Sequence, residues 1–374
     1  MAETVQRDFI MKETLIFFNT AIAWGGGEKW HFEVAQRMHA KGYKVCVLCH
    51  PKSELFTRAQ KAELPHQTIS ISNVSVFWPG KWLQLFKILK SFGPTTLIIN
   101  LSRDLKIGSL VGRRINVNRI IYRRGSAIPI KNTPLNRWIF GSGVDEILAN
   151  SQATKTCVNS FNSQLFPEEK IRVIYNGLDF DRFKNIPKES YYQRKSNELV
   201  LTHLGRLETQ KNQTFLLDVA AELKQRAIDF HLIIGGAGRL ESKLKEKAEH
   251  LQLLNKVSFV GFVEQPEQLY HSGDLFLLPS LWEGFGFVIA EAGSCNKPVI
   301  AFDLSSNPEI IVDGKTGRLT PAGDLIAFCD AIQELEKDRE MLKQMGKKAH
   351  DFVTQNFDKE HIYQQIETYL KQEK

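Results

Sequence analysis

At 374 residues, 43% of them hydrophobic and 24% charged, the chain has the make-up of a soluble globular protein, too long for one ordinary core. No stretch approaches the roughly 20 apolar residues of a spanning helix, and Met1 to Ile10, which includes Glu3, Arg7 and Asp8, lacks the apolar run of a signal peptide. The net charge of +7 is uneven: residues 1–177 carry 24 Lys and Arg against 12 Asp and Glu, and the remainder 25 against 30. The basic half points to an anionic partner: a membrane surface, a phosphorylated acceptor or nucleic acid.

Residues 1–11 read as a disordered extension ahead of the first strand, Thr14–Phe18. A helical pattern over Glu28–Ala40 leads to a second strand, Lys44–Leu48, and further strands are expected at Thr96–Asn100, Arg119–Arg123 and Glu146–Ala149. The pattern restarts with strand Leu199–Leu204, helix Asn212–Arg226, strand Phe230–Gly235 and helix Leu240–His250, followed by apolar runs at Val257–Val260, Leu275–Leu278 and Pro298–Ala301. Asn176-Gly177-Leu178-Asp179 and the polar stretch Pro187–Asn197 read as the linker, and Lys359 to Lys371 as a last helix. Alternating β and α elements imply parallel sheets covered on both faces. The expected fold is thus α/β, with two doubly wound Rossmann-like domains facing an interdomain cleft: 12–178, which is basic, and 179–355, with 356–374 as a terminal helix.

The five cysteines, an odd number without a signal peptide, argue for free thiols. Cys46-Val47-Leu48-Cys49-His50 spells a haem-attachment pattern, but it lies on a strand, where residues three apart point to opposite faces. Core packing is the better reading. Nor does Gly236-Ala237-Gly238 support a dehydrogenase, because the third glycine of the dinucleotide fingerprint is missing. Trp78, Trp82, Leu85, Phe86 and Leu89, with Lys81, Lys87 and Lys90, fit either an interfacial helix on anionic lipid or an ordinary domain helix.

The strongest signal runs from Pro279 to Ala292. A strand ends, a glycine-bearing loop follows, and an apolar helix starts near Gly286. Amides at a helix N-terminus bind phosphate or sugar hydroxyls, and Gly284 and Gly286 let the main chain approach a ligand. Glu291 lies within the apolar helix, where an unpaired carboxylate is costly; vicinal hydroxyls, as on a ribose, are its natural partner.

This segment resembles the E-x7-E motif of the retaining family 4 glycosyltransferases (group 1, GT-B fold), with Glu283 and Glu291 at the acidic positions. The resemblance extends to Trp24-Gly25-Gly26-Gly27-Glu28, Asn150-Ser151, Asn176 to Asp179, Gly205-Arg206-Leu207 with Lys211-Asn212, and Gly235 to Gly238. It implies that Glu291 binds the donor ribose and that Glu283 lies near the transferred sugar. Arg206 and Lys211 would neutralise the leaving diphosphate, and Phe285, Gly286 and Phe287 would hold the sugar or distal phosphate through their amides. Gly26 and Gly27 would approach the phosphates, Gly236 would lie in the next glycine loop, and Val263 would lie near the base.

Arg124 stands where many members carry a histidine, so it either takes that role or contacts an anionic donor or acceptor. The resemblance implies a metal-independent enzyme without a cofactor, using a nucleotide-sugar donor held by 179–355 and a glycan or lipid-linked acceptor on the side of 12–178, with the helix of 356–374 returning to the first domain. An anionic membrane surface is a further partner, and nucleic acid is set aside because no reading module accompanies the charge. Cytoplasmic residence, peripheral on the inner face of the membrane, follows. A sugar-nucleotide epimerase and a non-catalytic nucleotide-sugar-binding protein are the rival readings.

Overall fold

The computed structural model describes residues 14–93, 95–183, 189–195 and 197–371. The extension read over 1–11 lies outside them, as does part of the linker stretch 187–197. The chain divides into two compact units: Met1–Asn150, Thr154–Ile174 and Tyr369–Lys374 form the first, Ser151–Ala153 and Tyr175–Thr368 the second.

In the first unit seven parallel strands, β1 (Thr14–Asn19), β2 (Val45–Cys49), β3 (His66–Thr68), β4 (Thr95–Ile99), β5 (Arg119–Arg124), β6 (Glu146–Ala149) and β7 (Ile171–Val173), pair in the order β3-β2-β1-β4-β5-β6-β7. Central strands have helices on both faces, so every residue of β1, β2, β4 and β5 is buried. Alternate positions serve opposite cores. Ile16, Phe18, Leu97 and Ile99 pack with Leu105 and Val111, while Phe17 meets Trp30 of the helix Gly26–Ala40 on the other face. Cys46 and Cys49 both lie in β2 as buried free thiols, pushed up to about 12 and about 11 chiefly by burial. The last helix, Lys359–Lys371, ends in this unit, where the Arg119 guanidinium lies 4.6 Å over the Tyr369 ring.

The second unit repeats the arrangement with β8 (Leu199–Leu204), β9 (Phe230–Gly235), β10 (Val257–Gly261), β11 (Leu275–Leu278), β12 (Val299–Phe302) and β13 (Gly317–Thr320), ordered β10-β9-β8-β11-β12-β13 and all parallel. One face packs Leu201, Phe230 and Leu232 against Leu216, Leu223 and Phe328. The other sets Phe276 and Ala301 against Ile289, Ala292, Val353 and Phe357. Leu178 donates its N–H to the Phe357 carbonyl (2.8 Å), so the Asn176–Asp179 segment holds the start of the last helix. In both sheets order reverses between the first strand and the fourth, β1/β4 and β8/β11, and ligands of such sheets bind beyond the carboxyl ends of strands at that switch.

Candidate active site

In the second unit, three loops meet at the carboxyl ends of β8, β9 and β11. After β8 the chain passes Gly205 and Arg206, makes a short 3-10 turn over Thr209–Lys211, and enters the helix Gln213–Gln225 through left-handed Asn212 (φ 54°). After β11 come Glu283 and Gly286, the latter at φ 82° as N-cap of the helix Phe287–Ser294. A side chain disfavours that left-handed geometry, which explains glycine at this cap. Hydrogen bonds lock the two loops together: the Leu281 N–H donates to the Gln210 carbonyl (2.8 Å) and Gln210 Nε2 to the Trp282 carbonyl (2.8 Å).

The structure joins two of the expected site residues directly. Lys211 Nζ lies 2.6 Å from Glu283 Oε1, with side chains only 13% and 8% exposed. Ser305 fixes Glu283 by its backbone, accepting from the amide (3.2 Å) and donating to the carbonyl (2.6 Å). Arg206 is exposed, and its guanidinium makes no hydrogen bond or ion pair among the described residues. Beneath it, buried His203 bridges the loop to the sheet. Its Nδ1–H donates to the Leu277 carbonyl (2.9 Å), its Nε2 accepts from Gln213 (3.1 Å), and Gln213 also donates to the Arg206 carbonyl (2.9 Å). Burial holds this imidazole neutral, its pKa lowered to about 4.

Glu291 lies on the helix that Gly286 caps. Its carboxylate already has a protein partner: the fully buried Tyr270 hydroxyl donates to Oε2 at 2.7 Å. Burial, then the Glu291 charge, holds that phenol protonated, well above its ordinary range. Phe285 is core, touching Tyr175, Phe287 and Phe357; Phe287 is half-buried. Gly236 (φ 129°) faces Gly205 so closely that a Cβ would collide with the Gly205 carbonyl oxygen. Val263 packs on Val200, Ile233 and Leu269, leaving its neighbour Phe262 as the exposed side chain there.

In the first unit Gly26 opens the helix after β1, and the Gly27 carbonyl accepts from His31 Nδ1 (3.1 Å). Asn19 donates to Glu28 (2.9 Å). Asp104, at the carboxyl end of β4, takes the Thr20 N–H (2.8 Å) and hydroxyl (2.6 Å). Burial nonetheless raises its carboxyl to about 7 and lowers His31 to about 3. Arg124 ends β5, buried, with one nitrogen bonded to the Ile128 carbonyl. Sequence reasoning missed His203, Gln213, Tyr270, Ser305 and Asp104; the placement of His203 at a strand end, just before Gly205, was the one signal available for any of them.

The helix Pro79–Lys90 resolves differently from its sequence pattern. Leu85 and Leu89 are core, and Trp82 and Phe86 pack against it. The exposed apolar residues are instead Phe77 (80%), Trp78 (67%) and Leu83. Among the described residues no group of three or more His, Cys, Asp or Glu gathers as a metal site, and no helix is long and apolar enough to cross a membrane. Asp179, in the junction segment, lies 3.9 Å from Lys359 Nζ.

Residues 24–182 match the family described as Glycosyltransferase Family 4, and residues 187–352 match Glycosyl transferases group 1. The chain is 27% identical over 263 residues to the N-acetyl-alpha-D-glucosaminyl L-malate synthase of Bacillus anthracis, covering 69% of this chain and 68% of that protein. It is 26% identical over 348 residues to the GDP-mannose-dependent alpha-(1-6)-phosphatidylinositol monomannoside mannosyltransferase of Mycolicibacterium smegmatis, covering 89% and 84%. Its fold is that of Alr3699/HepE from Anabaena, crystallised with UDP and glucose: TM-score 0.81 at 22% identity, over 96% of this chain and 99% of that one.

Two doubly wound sheets, with this glycine-capped helix and the Lys–Glu pair at the ends of β8 and β11, define a glycosyltransferase of the GT-B fold that uses a nucleotide-sugar donor. The chain belongs to the group 1, family 4 glycosyltransferases.

Proposed function

We propose that the chain is a retaining, metal-independent glycosyltransferase. It takes a UDP- or GDP-sugar and transfers the sugar to a glycan or lipid-linked acceptor in cell-surface polysaccharide or lipopolysaccharide synthesis. The observation that carries this reading is the Lys211–Glu283 pair, which joins the loop after β8, where Arg206 has no side-chain partner among the described residues, to the loop that leads into the glycine-capped helix. A departing nucleoside diphosphate gains negative charge, and cations fixed beforehand stabilise it without reorganising. Arg206 and Lys211 supply that charge, so a metal ion is not required.

Glu291, oriented by Tyr270, receives the ribose hydroxyls, while Glu283 lies by the transferred sugar. The amides from Phe285 to Phe287 and the close turn at Gly236 leave backbone next to the sugar and phosphates, and Val263 backs the base. No carboxylate is an evident covalent nucleophile, so the leaving phosphate itself takes the acceptor proton in a front-face displacement. Ligands in the relatives support the donor class: UDP and glucose in one, GDP-mannose dependence in another.

Exposed Phe77, Trp78 and Leu83 lie among Lys81, Lys87 and Lys90, beside an apolar cavity of about 610 Å³ lined by Trp82, Phe86 and Arg114. Aromatic and leucine side chains fringed by lysine suit the headgroup level of an anionic bilayer. This supports a protein that acts at the inner face of the cytoplasmic membrane.

Glu291→Ala tests the donor assignment. Titration with UDP and GDP should show at least tenfold weaker binding than wild type, and ¹H NMR of the wild-type product should show the donor's anomeric configuration kept. Unchanged nucleotide binding, or an inverted product, would sink the reading.

A further inference from the structure

A second cavity, of about 450 Å³, opens in the first unit at the carboxyl ends of β4 and β5. Its walls come from the start of the helix Ser102–Arg114 and from the segment that follows Arg124. Three cations line it, Lys106, Arg124 and Lys131, and no Asp or Glu does. None of the three makes an ion pair among the described residues. Arg124 is only 8% exposed, and its Nε finds no hydrogen-bond partner among the described residues. Ser102 and Ser126 add hydroxyls without partners among the described residues.

An arginine this deeply buried is normally paired, because an uncompensated charge costs several kcal/mol. Here its hydrogen-bond acceptor is the neutral Ile128 carbonyl, and the cavity it lines adds two further cations and the positive end of a helix dipole. Such an arrangement is repulsive until an anion enters. One carboxylate would leave it undercompensated, whereas a phosphate dianion or a diphosphate matches three cations and offers oxygens to the guanidinium fork. The cavity has room for more than a phosphate, and Tyr122, Ile130 and Phe140 form its apolar part.

We propose that this cavity binds a phosphate or diphosphate ester carried by the acceptor, so that the chain glycosylates phosphorylated acceptors. The inference rests on the glycosyltransferase reading and specifies its acceptor class. Arg124 then serves as the buried fork of the acceptor site, with Lys106 and Lys131 completing the charge.

Calorimetric titration of the full chain with inorganic pyrophosphate, in phosphate-free buffer, tests it. Wild type should show two sites, one lost in Arg206→Ala and the other weakened at least tenfold in Lys106→Ala/Lys131→Ala. Lys131→Gln, at an exposed position, should weaken the same site three- to tenfold and guards against misfolding of the double variant. Wild-type affinity in both Lys variants overturns the proposal, as does tighter binding of succinate than of pyrophosphate. Farnesyl diphosphate and glucose 1-phosphate separate the sources: preference for the first supports a lipid-linked acceptor, preference for the second a soluble one. If wild type turns over no nucleotide-sugar while the cavity still titrates, the transferase reading fails and the anion site stands.

Discussion

Breaking the Lys211–Glu283 pair should destabilise the second unit by far more than loss of a surface bridge. At 2.6 Å, two unit charges attract by about 6 kcal/mol at an effective dielectric of about 20. Desolvation takes several kcal/mol of that back, because both side chains are largely buried. Glu283→Gln leaves an ammonium without its counter-ion; Lys211→Met leaves a carboxylate. Each should cost about 2–4 kcal/mol, and the double variant, with neither charge, little more than about 1 kcal/mol. The coupling from the cycle is then about 3–7 kcal/mol in magnitude. Amide exchange of peptides from Gln213–Gln225, followed through urea, reads the second unit without the first. Coupling below about 0.5 kcal/mol, the range of exposed pairs, would refute this account of a desolvated and preorganised lysine.

Tyr270→Phe removes the hydrogen bond to Glu291 and should cost about 1.5–3 kcal/mol, with several-fold weaker nucleoside diphosphate binding by calorimetry; unchanged binding would show that Tyr270 does not orient the carboxylate. His203 gives a pH signature. Its folded pKa, about 4, lies below the unfolded value, so its stabilisation is complete above about pH 6.5 and is lost as pH falls. The loss approaches about 1.4 kcal/mol per pH unit and levels off near pH 4; exchange of second-unit amides should show this slope, and His203→Gln should lack it. Lys81→Gln/Lys87→Gln/Lys90→Gln should reduce co-sedimentation with phosphatidylglycerol vesicles at least fivefold, and equal binding would remove the membrane contact from the account.

Sequence reading recovered what burial imposes. β6, β8, β9 and β11 carry apolar runs that coincide with the observed strands, because central parallel strands are covered on both faces. The strands it missed are edges: His66–Thr68, Ile171–Val173 and Gly317–Thr320 are short and partly exposed, so no apolar run marks them. Helices Leu325–Lys337 and Arg339–Asn356 also went unread, although Asp324 and Asp338 cap them and both side chains accept a first-turn amide. At the site, the resemblance to the family's motifs marked Glu283, Glu291, Arg206 and Lys211. It could not show that Lys211 closes on Glu283, 72 positions away, or that Tyr270 holds Glu291. Such contacts depend on which strand ends become neighbours. Likewise helical spacing grouped Trp78 with Leu85 and Leu89, whereas the fold buries the leucines and leaves Trp78 in solvent at the helix cap.

The most direct test of the central claim is donor turnover without metal. The full chain in EDTA, incubated with a panel of UDP-, GDP- and ADP-sugars, should be stabilised by one nucleotide series and slowly hydrolyse one member of it, with nucleoside diphosphate released at the same rate when Mn²⁺ is added. Turnover that appears only with Mn²⁺ would contradict the role given to Arg206 and Lys211, and no binding or turnover of any donor would contradict the account as a whole.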